Sequence, residues 1–276
     1  MNVLFHSNQL GLRGTEVALY DYALYNEEIL GNKSIIASPE NTLLSGLDKF
    51  KDRFPIILYK DRDFLQNRCD FYSAEVAYFI KAGHNDEVML KGVKNCIHTV
   101  FQVNQPHGDV YAYVSEWLST KMTGGQAPWV PHIVSLHHQA KSNRDYREAL
   151  GIPKDSLVYG YYGGDTSFNI PEIREAVQEL CDTRKDIYFL FMNSYRFMPK
   201  NSQSFFFTGT TNLEDTVKFI NTCDACIHAR VGGESFGLTL GEFATSGKPC
   251  IVQYPKEGED SAHVDQLEDS AIYYTN

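Results

Sequence analysis

The stretch Cys223–Gln253, CDACIHARVGGESFGLTLGEFATSGKPCIVQ, decides how this chain is read. It opens on a short apolar run, Ala225 to Ala229, with the character of a strand. A glycine-containing loop from Arg230 to Ser235 follows, then a helix over about Phe236 to Ser246 and a second strand over Cys250 to Gln253. The helix has chemical ends: Ser235 is placed to cap the amides of the first turn, Gly247 to take a left-handed conformation, and Pro249 to prevent continuation. Two strands joined through a helix form a βαβ unit. Its loop and helix N-terminus lie beyond the carboxyl end of the first strand, where open parallel sheets bind ligands. The amides around Phe236, Gly237 and Leu238 then face an anion at the positive end of the helix dipole, and Gly237 lets that anion approach the backbone.

Glu234 and Glu242 stand on either side of this position. Glu242 lies about 8 Å further along the helix than Gly237, roughly the reach from a diphosphate to the hydroxyls of an attached ribose. The geometry suggests one carboxylate for a sugar and one for a ribose. A structural loop competes with this reading, because glycine, serine and glutamate are common at surfaces. The apolar Phe236, Leu238, Leu240 and Phe243 do not discriminate, since any packed helix supplies them.

The segment HARVGGESFGLTLGEFATSGKPCIV resembles the donor-binding signature of glycosyltransferases with the two-domain GT-B fold, in particular the retaining nucleotide-sugar group of glycosyltransferase family 4. That pattern places two glutamates eight positions apart, here Glu234 and Glu242, around a Ser-Phe-Gly-Leu run, here Ser235, Phe236, Gly237 and Leu238. The resemblance covers nearly the whole chain. It implies an α/β protein of two Rossmann-like domains facing an interdomain cleft: an acceptor-side domain over 1–155 and a nucleotide-sugar-binding domain over 156–276, short at its C-terminus. It further implies that Glu234 lies by the transferred sugar, that Glu242 holds the ribose, and that the amides after Glu234 contact phosphate.

The bulk properties agree with such a protein. With 276 residues the chain accommodates two modest α/β domains, and no run approaches the roughly 18 apolar residues of a membrane span. A formal charge of -10 argues against a general nucleic-acid surface while leaving room for a local basic pocket. Met1 leads directly into an apolar strand, Val3 to Phe5, without the basic start and long apolar core of a signal peptide, so the expected location is the cytoplasm. Among the six scattered cysteines, Cys223 and Cys226 make a Cys-x-x-C pair; with Cys226 inside an apolar strand, buried reduced thiols are the simpler reading.

In the first half, Val3 to Ser7 reads as a strand, followed by the loop NQLGLRGTE and a helix from about Thr15 to Asn26 that Thr15 is placed to cap. The loop is not a G-x-G-x-x-G fingerprint, so no nicotinamide cofactor is expected. The resemblance puts Gly14 and Thr15 beside donor phosphate or acceptor, with a simple tight turn as the competing reading. Lys33 to Ala37, Phe54 to Leu58, Phe71 to Ile80, Asp86 to Leu90 and Asn95 to Val100 continue the α/β alternation. His98 is singled out as catalytic: it falls at a strand end before a long loop, and an imidazole near neutrality can orient an acceptor hydroxyl or stabilise leaving charge. His107 competes with it for that role, and a satisfied structural histidine is the other reading. Tyr111 to Val114 then forms a strand, with Ser115 capping a helix over Trp117 to Met122.

In the second half, Leu157 to Tyr161 forms a strand, and Gly163 and Gly164 form the loop that the resemblance brings to the donor diphosphate. Tyr161 stands where related proteins carry an arginine. Arg230 or Arg196 is the expected source of that missing positive charge, since a guanidinium pairs with phosphate from several directions. A helix from Pro171 to Cys181 follows, then strands Ile187 to Met192 and Ser204 to Phe207. Gly209 and Thr210 are the expected neighbours of the nucleotide base.

The function expected is transfer of a hexose or deoxyhexose from a nucleoside diphosphate sugar to a hydroxyl of a glycan, lipid or small-molecule acceptor. Retention at the anomeric carbon is implied by the resemblance, and no metal is needed if amides and arginines neutralise the phosphates. A nucleotide-sugar epimerase or hydrolase, and a catalytically weak sugar-nucleotide-binding module, are the alternatives.

Overall fold

Near-continuous apolar runs such as IYFLFM at Ile187–Met192 mark strands covered on both faces, and the chain builds a parallel sheet of such strands twice. The computed structural model describes residues 1–275. By contact the chain divides into two units, Met1–Ile133 and the remainder from Val134 onward.

The first unit contains β1 (Asn2–Ser7), α1 (Gly14–Glu28), β2 (Lys33–Pro39), α2 (Leu47–Lys51), β3 (Ile56–Tyr59), α3 (Arg62–Phe71), β4 (Val76–Lys81), β5 (Lys94–Thr99), β6 (Val110–Tyr113) and α4 (Glu116–Thr123). Its six strands are parallel in the order β3-β2-β1-β4-β5-β6. Ser115 caps α4 as expected, its Oγ accepting from the Leu118 amide at 3.2 Å. Two expectations are corrected. Phe71 ends a helix instead of beginning a strand, and Asp86 to Leu90 forms no strand. Asp86 is turned aside by its 2.6 Å pair with buried Lys81, and Glu87 takes a left-handed φ of 62°. An Asp-x-Asp run, Asp61–Asp63, serves as the start of α3, where Asp61 accepts from the Phe64 amide at 2.8 Å.

The second unit contains α5 (Leu136–Gln139), α6 (Arg147–Leu150), β7 (Leu157–Tyr162), α7 (Pro171–Thr183), β8 (Ile187–Met192), β9 (Ser204–Phe207), α8 (Leu213–Thr222), β10 (Ala225–Ile227), β11 (Gly233–Glu234), α9 (Leu238–Thr245), β12 (Cys250–Gln253), β13 (Asp260–Ser261), α10 (Ala262–Leu267) and β14 (Ala271–Tyr274). Six strands form a parallel sheet in the order β14-β12-β10-β7-β8-β9, and β11 pairs with β13 beside it. The stretch that precedes Ser156 is fixed to this unit. The Tyr146 amide donates to Thr222 Oγ1 at 2.9 Å, Asn221 Nδ2 donates to the Ser142 carbonyl at 2.7 Å, and Arg147 pairs with Asp224 at 2.8 Å.

Alternation along the strands divides the core of this unit into two layers. Val158, Leu190 and Met192 face one layer with Phe219 and Phe243, whereas Tyr161, Phe189 and Phe191 face the other with Phe168 and Val177. Consecutive Tyr161 and Tyr162 at the end of β7 therefore point to opposite faces of the sheet. Cys223, Cys226 and Cys250 are buried free thiols in the first layer. Among the described residues no helix is long and apolar enough to cross a membrane.

Helix α8 packs closely on β7 at Gly160, where an added Cβ would lie 2.3 Å from Cys223 Sγ and 3.2 Å from the Phe219 ring. Gly160→Ala is therefore expected to lower stability by about 1–3 kcal/mol through overpacking. Urea unfolding of the two proteins measures it; an unchanged midpoint would refute the tight contact.

Candidate donor-binding site

In an open parallel sheet, ligands bind at the carboxyl edge where the strand order reverses direction. In the second unit that point falls between β7 and β10, so the residues just after these strands mark the candidate site: Gly163 and Gly164 after β7, and His228 to Glu234 after β10. The quoted stretch folds as a strand, loop, helix and strand, with β12 at the expected bounds.

The start of the helix differs from expectation. Gly237, with φ 88° and ψ 57°, occupies the N-cap position of α9, and the helix begins at Leu238; Ser235 does not cap it, and the glycine at the N-cap has no side chain to do so. The chain must swing through a left-handed residue there because Gly233 and Glu234 are held in the short β11–β13 pair. Gly233 is itself left-handed, with φ 69°, and a Cβ on it would fall 1.9 Å from the Asp260 carbonyl oxygen. At the other end of α9, Gly247 takes the expected left-handed conformation, with φ 70°.

Glu234 is held from both sides. Its Oε1 lies 2.9 Å from His228 Nε2, and its Oε2 accepts from Arg230 Nη1 at 2.7 Å. Burial alone would raise this carboxyl group, but the hydrogen bond from His228 and the charge of Arg230 outweigh it and hold the pKa at about 2. Arg230, reserved in the sequence reading for phosphate, thus spends one guanidinium nitrogen on Glu234, while its side chain keeps 33% exposure.

Glu242 projects from α9 toward the end of β7, where the Tyr162 hydroxyl donates a short hydrogen bond to its Oε2. Burial and then the Glu242 charge push the Tyr162 hydroxyl well up. Tyr161, on the opposite face, is buried beside Phe168 and His228, with ring centroids at 5.1 Å and 5.9 Å. A tyrosine with its ring in the core thus fills the position at which an arginine is expected.

The remaining second-unit candidates lie along the same edge. The Gly163 carbonyl accepts from Asn193 Nδ2 at 2.6 Å. Arg196, exposed in the loop after β8, stacks over Phe206 at 4.3 Å. Gly209 and Thr210 lie between β9 and α8, where Thr210 Oγ1 accepts from the Asn212 amide at 3.0 Å.

In the first unit, His98 lies on β5 with 1% exposure, its Nδ1 2.6 Å from the Tyr78 hydroxyl and its ring beside Tyr22 and His132. Burial lowers its pKa to about 4, so the ring is neutral at physiological pH. His107 Nδ1 donates to the Gln105 carbonyl at 2.7 Å, and Asp109 Oδ2 accepts from the Asn95 amide at 2.7 Å, a turn-fixing role. At the start of α1, Arg13 is the N-cap and Thr15 does not cap. Thr15 Oγ1 instead donates to Glu16 Oε1 at 2.6 Å, and the Arg13 amide donates to Glu16 Oε2 at 3.3 Å. A buried carboxylate of the protein's own therefore sits at the end of α1 where Gly14 and Thr15 were expected to meet a ligand.

Sequence reasoning missed His228, Tyr162 and Glu16. His228 occupies a strand end before a long loop, the same signal that singled out His98. Among the described residues no group of three or more His, Cys, Asp or Glu side chains is placed to hold a metal ion.

No protein-family model matches the chain, and no curated protein matches it. Solved structures do. The crystal structure of a glycosyltransferase from Rickettsia africae ESF-5 aligns with TM-score 0.72 and 14% identity, over 99% of this chain and 84% of that one. Anabaena Alr3699/HepE in complex with UDP and glucose aligns with TM-score 0.73 and 12% identity, over 100% and 85%. WaaG, a glycosyltransferase involved in lipopolysaccharide biosynthesis, aligns with TM-score 0.63 and 12% identity, over 99% and 86%. At such identities the likeness establishes the fold: α/β, with two Rossmann-like domains of the GT-B type.

The pairing of Glu234 has a pH signature. A carboxyl group lowered from 4.5 to about 2 contributes stability that is complete above its unfolded pKa and is lost as pH falls through the folded value. The contribution at neutral pH is on the order of 3 kcal/mol. The stability difference between the wild type and Glu234→Gln is therefore expected to shrink as pH falls from about 6 to about 2.5. Denaturant midpoints measured across that range test it, and a difference independent of pH would refute the ionised pairing.

Proposed function

We propose that the protein is a glycosyltransferase that moves a sugar from a nucleoside diphosphate sugar to a hydroxyl acceptor, with retention and without a metal. One observation carries this reading: Glu234 and Glu242 stand either side of a helix start with no side-chain cap, at the switch point of a unit whose fold is shared with HepE in complex with UDP-glucose. A carboxylate pair with anion-binding amides between them suits a polyhydroxylated diphosphate.

In the proposed reaction the amides at Leu238 to Leu240 and an arginine, Arg196 or the outward edge of Arg230, stabilise the charge that develops on the departing diphosphate. Glu242 holds the ribose, its carboxylate oriented by Tyr162, and Glu234 orients the transferred sugar. Gly163 and Gly164 admit the diphosphate, while Gly209 and Thr210 neighbour the base. In the first unit, His98, as a neutral imidazole, acts at the acceptor or sugar side. The acceptor is a glycan, a lipid or a small molecule, the transferred group a hexose or deoxyhexose, and the setting the cytoplasm. Glu234 is not assigned as a covalent nucleophile, because two carboxylates of one motif do not form the opposed pair of retaining glycosidases.

Incubation of the purified protein with UDP-, GDP-, ADP- and dTDP-sugars, followed by mass spectrometry of bound nucleotide and released sugar, tests the reading. One donor is expected to bind and to release sugar slowly, and acceptor-dependent product separates a transferase from a hydrolase. Glu242→Ala is expected to weaken nucleotide binding by about 10-fold or more, Glu234→Ala to impair donor use more than free-nucleotide binding, and His98→Ala to lower turnover chiefly. Absence of binding across the panel, or undiminished activity in all three variants, would refute the assignment.

A further inference from the structure

We propose that His228 is a positioning residue of the donor site, setting the orientation of the Glu234 carboxylate toward the hydroxyls of the transferred sugar. The inference rests on the donor-site reading above and goes beyond it by assigning a residue outside the sequence motif's two glutamates.

The argument begins with hydrogen-bond capacity. Each oxygen of an ionised carboxylate accepts in two directions. Oε1 of Glu234 uses one of them on His228 and Oε2 uses one on Arg230, so the protein side of the carboxylate is occupied while one direction on each oxygen remains for a ligand. Two parallel acceptors match two neighbouring hydroxyls of a sugar ring. For that match to be selective, the carboxylate plane must be fixed before the sugar arrives.

His228 is the more rigid of the two holders. Its side chain is 5% exposed, against 33% for Arg230. Its amide donates to the Ile251 carbonyl at 2.9 Å and its own carbonyl accepts from the Tyr274 hydroxyl at 2.8 Å, which ties the residue to β12 and β14. The ring is flanked by Tyr161 at 5.9 Å and His263 at 6.5 Å between centroids. Because an ionised carboxylate only accepts, Nε2 of His228 carries the hydrogen of the 2.9 Å contact. Tyr161, fixed in the core, then has a function in place of the expected arginine: it walls the imidazole into the orientation that presents Nε2.

The test compares affinity for a nucleoside diphosphate with affinity for its sugar conjugate, using UDP, GDP, ADP and dTDP and the corresponding glucose conjugates, in the wild type, His228→Phe and His228→Gln. Glutamine places an amide nitrogen near the position of Nε2, whereas phenylalanine fills the volume without a donor. His228→Phe is expected to keep the affinity for the free diphosphate and to lose about 10- to 100-fold of sugar release or transfer, together with the extra affinity contributed by the sugar. His228→Gln is expected to recover most of both. In the double variant His228→Phe/Glu234→Gln the two losses should not add, because both act through one carboxylate. His228→Phe that retains the sugar-dependent gain, or losses that add in the double variant, would overturn the positioning role. Equal loss of free-diphosphate binding in His228→Phe would show a structural role and overturn it as well. A wild type that binds none of the eight probes would instead refute the donor-site reading itself.

Discussion

An ionised carboxylate taken out of water must be paired, since the uncompensated cost is several kcal/mol. Glu234 is such a group, and the conformation of the whole edge between β10 and α9 follows from satisfying it. His228 and Arg230 lie six and four residues before it, so the intervening loop has to fold back on itself to bring both to one carboxylate. That return passes through Gly233, where no side chain fits against Asp260, and through Gly237, which redirects the chain into α9. The segment after β12 is drawn into the same arrangement: Glu259 accepts from the Gly232 amide at 3.2 Å and from the Lys256 amide at 2.8 Å, while the Asp260 amide donates to the Gly232 carbonyl at 2.9 Å. The residues that complete the loop therefore come from beyond the sequence motif that announces it.

The sheet supplies the second constraint. Successive residues of β7 face opposite layers, so one step along the chain decides whether a tyrosine reaches Glu242 or the ring of His228. Tyr161 and Tyr162 are thus equivalent in composition and distinct in consequence. Each supports a different glutamate, one by direct hydrogen bonding and one through the imidazole that stands between.

This division also explains what was legible in the sequence. Ile187–Met192, Ser204–Phe207 and Cys250–Gln253 form strands at the expected bounds, because apolar runs between turn residues leave a parallel sheet few alternatives. Helix α3 was hidden: only Leu65 and Cys69 of its residues are buried, a stripe too narrow to stand out from a polar segment. The caps at Ser235 and Thr15 failed for a related reason. Residue type favours them, but the pairing of Glu234 with His228 and Arg230, and of Glu16 with Gln9, Arg13 and Thr15, shapes the backbone beside them. The two glutamates of the donor motif were visible from their spacing, whereas their holders were not, since a partner such as Tyr162 is defined by the face of a strand and by a contact 80 residues distant. The join near Ser156 was read from the start of a strong strand; the weakly patterned stretch before it is attached by side-chain bonds that leave no periodic trace.

The starts of α1 and α9 each follow a strand that borders the switch point of its sheet, α1 after β1 and α9 after β10. They differ in one respect. At α1 a side chain of the chain itself, Glu16, accepts from the Arg13 amide at the positive end of the helix, whereas the N-cap of α9 is Gly237, which has no side chain to offer. One negative side chain thus already answers the positive end of α1, while the start of α9 is shaped by a glycine that carries none. Sheets of one topology can thus carry differently furnished helix starts without altering a strand, the difference lying in a single side chain.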